Sequence, residues 1–228
     1  MALTADVAIA GGGAIGLCAA LALAERGLKV IVVTGSSIGE ASRAAAGMLA
    51  PSIERASADP DEFGIAARDR YPSYLDYLRD STGIAVALNR QGILQAALTP
   101  SGVKGLRRSA PTTSRWLDRD ELVRLEPALS HALGAVYNPL DGSVDNVALM
   151  DALVAAVEKH AMISPLAGRV LAVTTDGSAV IVATANGNSV SAAHFVVAAG
   201  AWAGSISGAK LAASVTPSKG QLVEFGGA

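Results

Sequence analysis

Apolar residues near the N-terminus follow the order strand, helix, strand. Residues 7–10 and 30–33 are two uninterrupted apolar runs, and Leu17 to Glu25 between them has the composition of a helix. Gly27 suits the position just after that helix. Short apolar runs of this kind are typical of strands that are buried on both faces of a parallel sheet. The pattern therefore predicts a βαβ unit.

A longer helix is predicted further along the chain. Asp59-Pro60-Asp61-Glu62 offers an N-cap, a proline at the first helical position and acids in the first turn. We expect the helix to reach Asp80 with a disturbance at Pro72, and Gly83 to end it. The side chains expected to face the core are Phe63, Tyr74, Leu75 and Leu78.

Shorter elements are predicted in the middle of the chain. Ile84–Leu88 and Gly92–Leu98 resemble two short strands around a turn at Asn89–Gly92. Asp118 and Glu121 form a capping box for a short helix, which we expect to end before Pro127.

The last third predicts one helix and then mostly strands. Asp145 is expected to cap an amphipathic helix, Val147–Lys159. Residues 169–192 predict three antiparallel strands, with turns at Asp176-Gly177 and Asn186-Gly187. A further apolar run, residues 195–199, ends at Gly200 and is predicted to be a last parallel strand.

A glycine motif joins the first strand to the first helix. Gly11 permits a tight turn, Gly13 lets the backbone approach a pyrophosphate, and Gly16 lets the helix pack close to the strand. The N–H groups at the start of the helix favour an anion there. A dinucleotide site is therefore predicted, with a purely structural glycine turn as the alternative. The meander of residues 169–192 favours a flavin-binding variant of the fold over an ordinary nicotinamide-binding one.

The second strand departs from the usual pattern at its end. A carboxylate is common there, because it accepts hydrogen bonds from the adenosine ribose, but this chain has Thr34. A hydroxyl accepts only neutral hydrogen bonds, so we expect weaker anchoring of the ribose. The next few residues contain no arginine for a 2′-phosphate, which argues against NADP.

Composition and charge narrow the class of protein. The 228 residues are 51% hydrophobic and carry a formal net charge of −2, with both signs interspersed. We therefore expect neither nucleic acid nor an anionic membrane as a partner. Glycines interrupt the apolar N-terminal run and no basic residue precedes Arg26, so we expect no signal peptide, no membrane span and a cytoplasmic location.

Few residues suggest acid-base or metal chemistry. Cys18 is the single cysteine, which excludes a disulfide within the chain. His131, His160 and His194 are isolated near the ends of predicted elements, where we expect solvated or capping roles. We find no spacing typical of a metal site, a Ser-His-Asp triad or a carboxylate pair. We therefore predict no metal site, and the sequence identifies no catalytic residue.

Several further motifs occur in one order along the chain. The sharpest is Ala44-Ala45-Ala46-Gly47-Met48-Leu49-Ala50-Pro51, behind the second strand. The others are Leu125-Glu126-Pro127, Asp141-Gly142-Ser143-Val144-Asp145, Ala198-Ala199-Gly200-Ala201-Trp202 and Pro217-Ser218-Lys219-Gly220-Gln221. In these motifs the chain resembles the D-amino-acid-oxidase-like family of FAD-dependent oxidoreductases, and most closely the glycine oxidases of thiamine biosynthesis.

The resemblance implies an α/β fold in two parts. The first is an FAD-binding Rossmann-like domain of the glutathione-reductase type with a three-stranded β-meander, expected over residues 1–83 and 141–213. The second is part of a mixed α+β substrate domain, expected over residues 84–140 and 214–228.

The resemblance also implies where FAD is held, without a covalent bond. The glycine turn would face the pyrophosphate, Thr34 the ribose, and Val170 the adenine through its backbone. Residues 42–48 would lie along the pyrophosphate and flavin, although a tightly packed helix start is an alternative reading of their alanine-glycine run. The expected cofactor-binding residues are Gly11, Gly13, Ala14, Ile15, Gly16, Thr34, Ser42, Arg43, Ala45, Ala46, Gly47, Met48, Val170, Ala199, Gly200 and Trp202.

The implied reaction is oxidation of glycine or another small amino acid or amine at its α-carbon, with dioxygen reoxidising the flavin to give hydrogen peroxide. Members of the family continue well beyond residue 228, and their later segment supplies the arginine and tyrosine that clamp the substrate carboxylate. We therefore expect a sheet edge and the substrate side of the flavin to be uncovered in this chain.

Two other functions stay open: an incomplete FAD-binding subunit that needs a complementing C-terminal chain, and a flavin-dependent amino-acid dehydrogenase that passes electrons to a quinone or carrier protein. A homo-oligomer is also open.

Overall fold

The structure is a computed structural model that describes residues 3–35, 40–54, 62–209, 218 and 220. The chain forms two compact units: a first unit of Met1–Ala45, Leu78–Ala85 and Asn146–Ala228, and a second unit of Ala46–Tyr77 and Val86–Asp145. The division into a cofactor domain and a substrate domain stays a prediction. Most of its last segment, residues 214–228, lies outside the described residues.

The strands are β1 (Leu3–Ala10), β2 (Val30–Thr34), β3 (Met48–Leu49), β4 (Leu88–Asn89), β5 (Ile93–Ala97), β6 (Arg115–Leu117), β7 (Gly134–Asn138), β8 (Gly142–Val144), β9 (Ile163–Ala167), β10 (Val170–Asp176), β11 (Ala179–Thr184) and β12 (Ser189–Val197). The helices are α1 (Ala14–Ala24), α2 (Ala41–Ala44), α3 (Glu62–Thr82), α4 (Pro100–Ser109), α5 (Arg119–Leu125) and α6 (Asn146–Lys159), with 3₁₀ turns at Pro127–Leu129 and Gly200–Ser205.

The first unit contains a six-stranded sheet in the order β10-β11-β12-β1-β2-β9. Strands β12, β1, β2 and β9 are parallel, and β10, β11 and β12 form the antiparallel meander. The predicted βαβ unit is confirmed as β1, α1 and β2. Its strands are buried where the sequence is apolar: Ala8, Ile9 and Val32 are 0% exposed. These apolar runs form the middle of the sheet, as buried parallel strands require.

The predicted last parallel strand is confirmed for residues 195–197, which pair with β1, but it is not separate from the meander. The third meander strand and the parallel strand are one continuous element, β12, which pairs with β11 on one side and with β1 on the other. Val190 illustrates this double pairing, since it lies opposite Val182 and Leu3. His194, expected near the end of an element, lies within β12 with an exposed side chain.

Strand β9 was not predicted, and its sequence contains Pro165. A proline has no N–H to donate and is tolerated mainly on an edge strand. Strand β9 is the edge of the sheet next to β2, where Pro165 lies opposite Val32.

The second unit contains two antiparallel three-stranded sheets, in the orders β3-β8-β4 and β5-β7-β6. Two strands were predicted around the turn at Asn89–Gly92, over Ile84–Leu88 and Gly92–Leu98. The observed strands are shorter, Leu88–Asn89 and Ile93–Ala97. They belong to different sheets, because β4 pairs with β8 and β5 pairs with β7. Long-range partners therefore decide the pairing here.

Several of the helix predictions are confirmed. The capping box of Asp118 and Glu121 is confirmed at the start of α5. Helix α3 passes through Pro72 and is followed by Gly83 with a φ of +82°. Of its predicted core residues, Leu75 and Leu78 are buried, but Phe63 is 83% exposed, so its assignment was wrong. The expected start of the helix at residues 59–61 lies outside the described residues.

Candidate cofactor site

The glycine turn between β1 and α1 is closed by backbone contacts. Gly11 has a φ of +116°, and its N–H donates to the carbonyl oxygen of Val33 at 2.9 Å. A Cβ on Gly11 would overlap the carbonyl oxygen of Ala198, and a Cβ on Gly16 would overlap that of Gly11. Because real Cβ atoms do not approach backbone so closely, these two positions require glycine for the fold itself.

Gly13 has a different reason to lack a side chain. It is the N-cap of α1 with ordinary extended backbone angles, φ −77° and ψ 177°. Among the described residues, only the Ser42 Oγ lies within 4 Å of an added Cβ, at 3.1 Å. The glycine therefore keeps the space in front of the helix open, apart from one hydroxyl group.

Ser42 lies directly at the start of α1. Its Oγ accepts a hydrogen bond from the N–H of Ala14 at 3.0 Å. A hydroxyl that accepts one hydrogen bond still has a proton to donate. The Ser42 hydroxyl therefore offers a hydrogen-bond donor beside the positive end of the α1 dipole, where an anion is favoured.

Helix α2, which contains Ser42, is tied to α6. The Nδ2 of Asn146 donates to the carbonyl oxygens of Ser42 and Arg43 at 3.0 and 2.9 Å. Arg43 also forms an ion pair of 2.8 Å with Asp151, and both side chains are about half exposed. Sequence reasoning missed Asn146 because its partners lie 103 and 104 residues earlier, with no local signal.

Thr34 ends β2 beside the glycine turn. A Cβ on Gly12 would overlap its Oγ1, so the hydroxyl group packs over Gly12. The carbonyl oxygen of Thr34 accepts a hydrogen bond from Gly168 at 2.9 Å. This anchors the end of β2 two residues before Val170, which begins β10 and is 4% exposed.

The segment after β12 packs against the same turn. The N–H of Ala198 donates to the carbonyl oxygen of Ala10 at 2.8 Å, and Ala199 begins a turn into Gly200, whose φ is +53°. A Cβ on Gly200 would meet none of the described residues within 4 Å, so the space beside it is open. The backbone N–H of Trp202 donates to the carbonyl oxygen of Ala199, and Trp202 is partly buried.

Two large apolar side chains among the predicted contacts are accessible. Ile15 in the first turn of α1 is 75% exposed, and Met48 is 46% exposed. Exposed apolar side chains beside glycine-rich backbone offer contact surface to a planar ligand.

In the alanine-glycine run of residues 44–48, only Ala44 belongs to a helix, and residues 45–48 are not helical. Helix α2 ends at Ala44, and Ala45 has a φ of −68° and a ψ of 152°. In the second unit, the carbonyl oxygen of Gly47 accepts a hydrogen bond from Val144, and Met48 pairs with Ser143. The φ of Gly47 is +68°, and a Cβ there would overlap the Val144 carbonyl oxygen. The alternative of a packed helix start is therefore wrong.

The three histidines have the local environments expected of solvated or capping residues. His160 accepts a hydrogen bond from the N–H of Met162, and His131 and His194 are exposed. No cluster of three His, Cys, Asp or Glu side chains with metal-binding geometry occurs among the residues that the structure describes.

In the first unit the predicted site residues Gly11, Gly13, Ala14, Thr34 and Ser42 are thus brought together at one end of the parallel strands. The start of α1 offers hydrogen-bond donors and the positive end of its dipole, with open space over Gly13. These features fit the pyrophosphate of a dinucleotide.

Comparisons with known proteins point to one family. The family described as FAD dependent oxidoreductase matches residues 6–227. The chain is 34% identical to the glycine oxidase of Geobacillus kaustophilus, over 96% of this chain and 60% of that protein. It is 33% identical to the bifunctional protein ThiO/ThiG of Synechocystis sp., over 98% of this chain and 33% of that protein.

The fold agrees with a solved relative. The crystal structure of glycine oxidase from Geobacillus kaustophilus matches with a TM-score of 0.81 at 31% identity, over 89% of this chain and 57% of that one. The chain thus spans between a third and three fifths of the length of these relatives. Within the described part of the chain, none of the helices has the length and apolar character needed to cross a membrane.

Proposed function

Because the chain belongs to the family of FAD-dependent oxidoreductases, we propose that it binds FAD and takes part in oxidising a small amino acid or amine. Glycine is the first substrate to test, since the relatives include glycine oxidases. FAD, when bound, would supply the oxidant for hydride removal from the substrate, with dioxygen as the final electron acceptor that gives hydrogen peroxide.

The residues of the first unit are assigned to the adenosine diphosphate half of FAD. The N–H groups of Gly13, Ile15 and Gly16 at the start of α1 are assigned to the pyrophosphate, since the N–H of Ala14 already donates to Ser42. Ser42 donates its hydroxyl proton to a phosphate oxygen. Thr34 accepts from the ribose, and the Val170 backbone contacts the adenine. Ala199, Gly200 and Trp202 lie beside the glycine turn and close this half of the site.

The flavin half is assigned to residues 43–48. Ala45 and Ala46 are small and exposed, and Ala45 has an extended backbone, so this segment is accessible to a flat ring. Gly47 and Met48 are held by strand β8 within the second unit. These side chains orient the cofactor and take no part in proton transfer.

One observation supports the cofactor most directly. Gly13 has ordinary backbone angles, and no backbone atom of the described residues beyond its chain neighbours lies within 4 Å of an added Cβ there, unlike at Gly11 and Gly16. A glycine that the fold itself does not require, placed at a helix N-terminus beside a hydroxyl donor, is explained by a bound anionic group that approaches the backbone.

The first test is titration of the purified chain with FAD, in which flavin fluorescence reports binding. NADP, a nicotinamide cofactor, is then added as a competitor. We expect FAD to bind in one-to-one stoichiometry and NADP not to displace it. Absence of any saturable FAD binding would refute the proposal.

The second test is peroxide production with glycine and sarcosine. Peroxide formed in proportion to the amine consumed supports an oxidase. Reduction of an artificial dye without oxygen consumption would replace the oxidase by a dehydrogenase. A cytoplasmic location and either a homo-oligomer or a complementing chain as partner stay predictions.

A further inference from the structure

Asn146 connects two elements that are far apart in the sequence. As the first residue of α6, it donates two hydrogen bonds from one amide nitrogen to adjacent carbonyl oxygens of α2. The last four carbonyl groups of a helix have no partner within it. Helix α2 has only four residues, so it cannot be stable by itself and depends on such external partners.

The position of α2 determines where the Ser42 hydroxyl lies. The Ser42 carbonyl oxygen is held by Asn146, and the Oγ of the same residue accepts the N–H of Ala14 at 3.0 Å. A continuous chain of hydrogen bonds therefore runs from α6 through α2 to the first turn of α1. The ion pair of Arg43 and Asp151 is a second link, but its half-exposed groups contribute little.

We infer that Asn146 is a positioning residue for the pyrophosphate end of the FAD site. Its side-chain amide donates to α2, and through α2 it holds the Ser42 hydroxyl where that group can donate to a phosphate oxygen. This inference rests on the proposed function, because the group that Ser42 meets is the pyrophosphate of FAD.

The variant Asn146→Asp separates this role from the stability of α6. Aspartate has the same shape, but it has no N–H to donate and sets a negative charge against two carbonyl oxygens. At the start of α6 an acidic side chain is favoured by the helix dipole, so the helix itself is preserved. Asn188→Asp, at an exposed position beside the β11–β12 turn, is the control with the same change of charge.

The first measurement is the affinity of the full chain for FAD and for ADP. We expect Asn146→Asp to bind both about tenfold more weakly, the effect of losing one good hydrogen bond. Asn188→Asp should bind both like the parent chain. Ser42→Ala should show a similar loss, and the double variant of Ser42 and Asn146 should lose little more than either single one. Additive losses would show that Asn146 acts independently of Ser42 and would overturn the inference.

The second measurement does not depend on the cofactor. Amide exchange of the chain without FAD should be faster at Ala14 and in α2 in Asn146→Asp, and unchanged at Ala152 and Leu153 in α6. Faster exchange throughout α6 with Ala14 unchanged would mean a merely structural role, and would overturn the inference. If the parent chain binds no FAD, the proposed function fails, while this measurement still decides whether Asn146 positions Ser42.

Discussion

Alanine at Gly13 and at Gly16 should have opposite effects, and the pair separates cofactor binding from folding. At Gly16 the new methyl group would overlap the carbonyl oxygen of Gly11, which belongs to a closed backbone turn. At Gly13 the methyl group would meet only the Ser42 hydroxyl, 3.1 Å away, among the described residues. The first contact cannot relax without moving the backbone, whereas the second needs a small shift of one side chain.

The magnitudes follow from these contacts. Overpacking in a tight site costs about 1 to 3 kcal/mol, and Gly16→Ala should lie at the upper end because the opposing atom is backbone. For a chain of this size, each kcal/mol lowers the melting temperature by about 2 to 4 °C, so we expect a loss of roughly 5 to 10 °C. For Gly13→Ala, the weaker N-cap costs about 0.5 to 1 kcal/mol and the less flexible unfolded chain regains about 0.4 to 1, so the melting temperature should hardly change.

Gly13→Ala should weaken FAD binding, although it hardly changes the melting temperature. Its methyl group would occupy the space proposed for the pyrophosphate and remove at least one charge-assisted hydrogen bond, worth about 1.5 to 3 kcal/mol. FAD affinity should therefore fall by roughly 10- to 150-fold. Thermal unfolding by circular dichroism and FAD titration measure the two effects separately. A Gly13→Ala chain that binds FAD like the parent would refute the assignment of this turn to the pyrophosphate.

Three further variants test other parts of the structure. Thr34→Glu should tighten FAD binding by up to about tenfold, because a carboxylate accepts charge-assisted hydrogen bonds from the ribose. Unchanged or weaker affinity in the FAD titration would mean that Thr34 does not face the ribose. Arg68→Leu should destabilise the second unit by about 3 to 5 kcal/mol, since it leaves the fully buried Asp141 without its cation. Urea unfolding measures this loss, and a midpoint equal to that of the parent would show that the 3.1 Å ion pair contributes nothing. Asp118→Ala should cost about 0.5 to 2 kcal/mol through loss of the α5 capping box, and an unchanged midpoint would contradict this.

The local elements were predictable where one stretch of sequence contains both partners of the interaction. The apolar runs of β1 and β2, the glycine turn between β1 and α1, and the Asp118 capping box all depend on residues close together in the chain. The same holds for Gly11, whose positive φ marks the tight turn that the motif predicts.

Pairings between distant segments could not be predicted in this way. Strand β9 has a proline that argues against a strand, and only its place at the edge of the sheet makes Pro165 acceptable. Strand β12 serves both the meander and the parallel sheet, because β11 and β1 lie on its two sides. The exposure of Phe63 likewise depends on which elements pack against α3, which its own periodicity does not reveal.

The candidate site shows the same distinction. The glycine turn, Thr34 at the end of β2 and the alanine-glycine run could be recognised from sequence, because each is a contiguous motif whose chemistry follows from its own residues. The hydrogen bond of Ser42 with the N–H of Ala14, the support of α2 by Asn146, and the lack of backbone contacts at Gly13 among the described residues became visible only in the folded chain. These relations join residues up to 104 positions apart, and hydrogen bonds over such separations exist only once the sheet and its helices have formed.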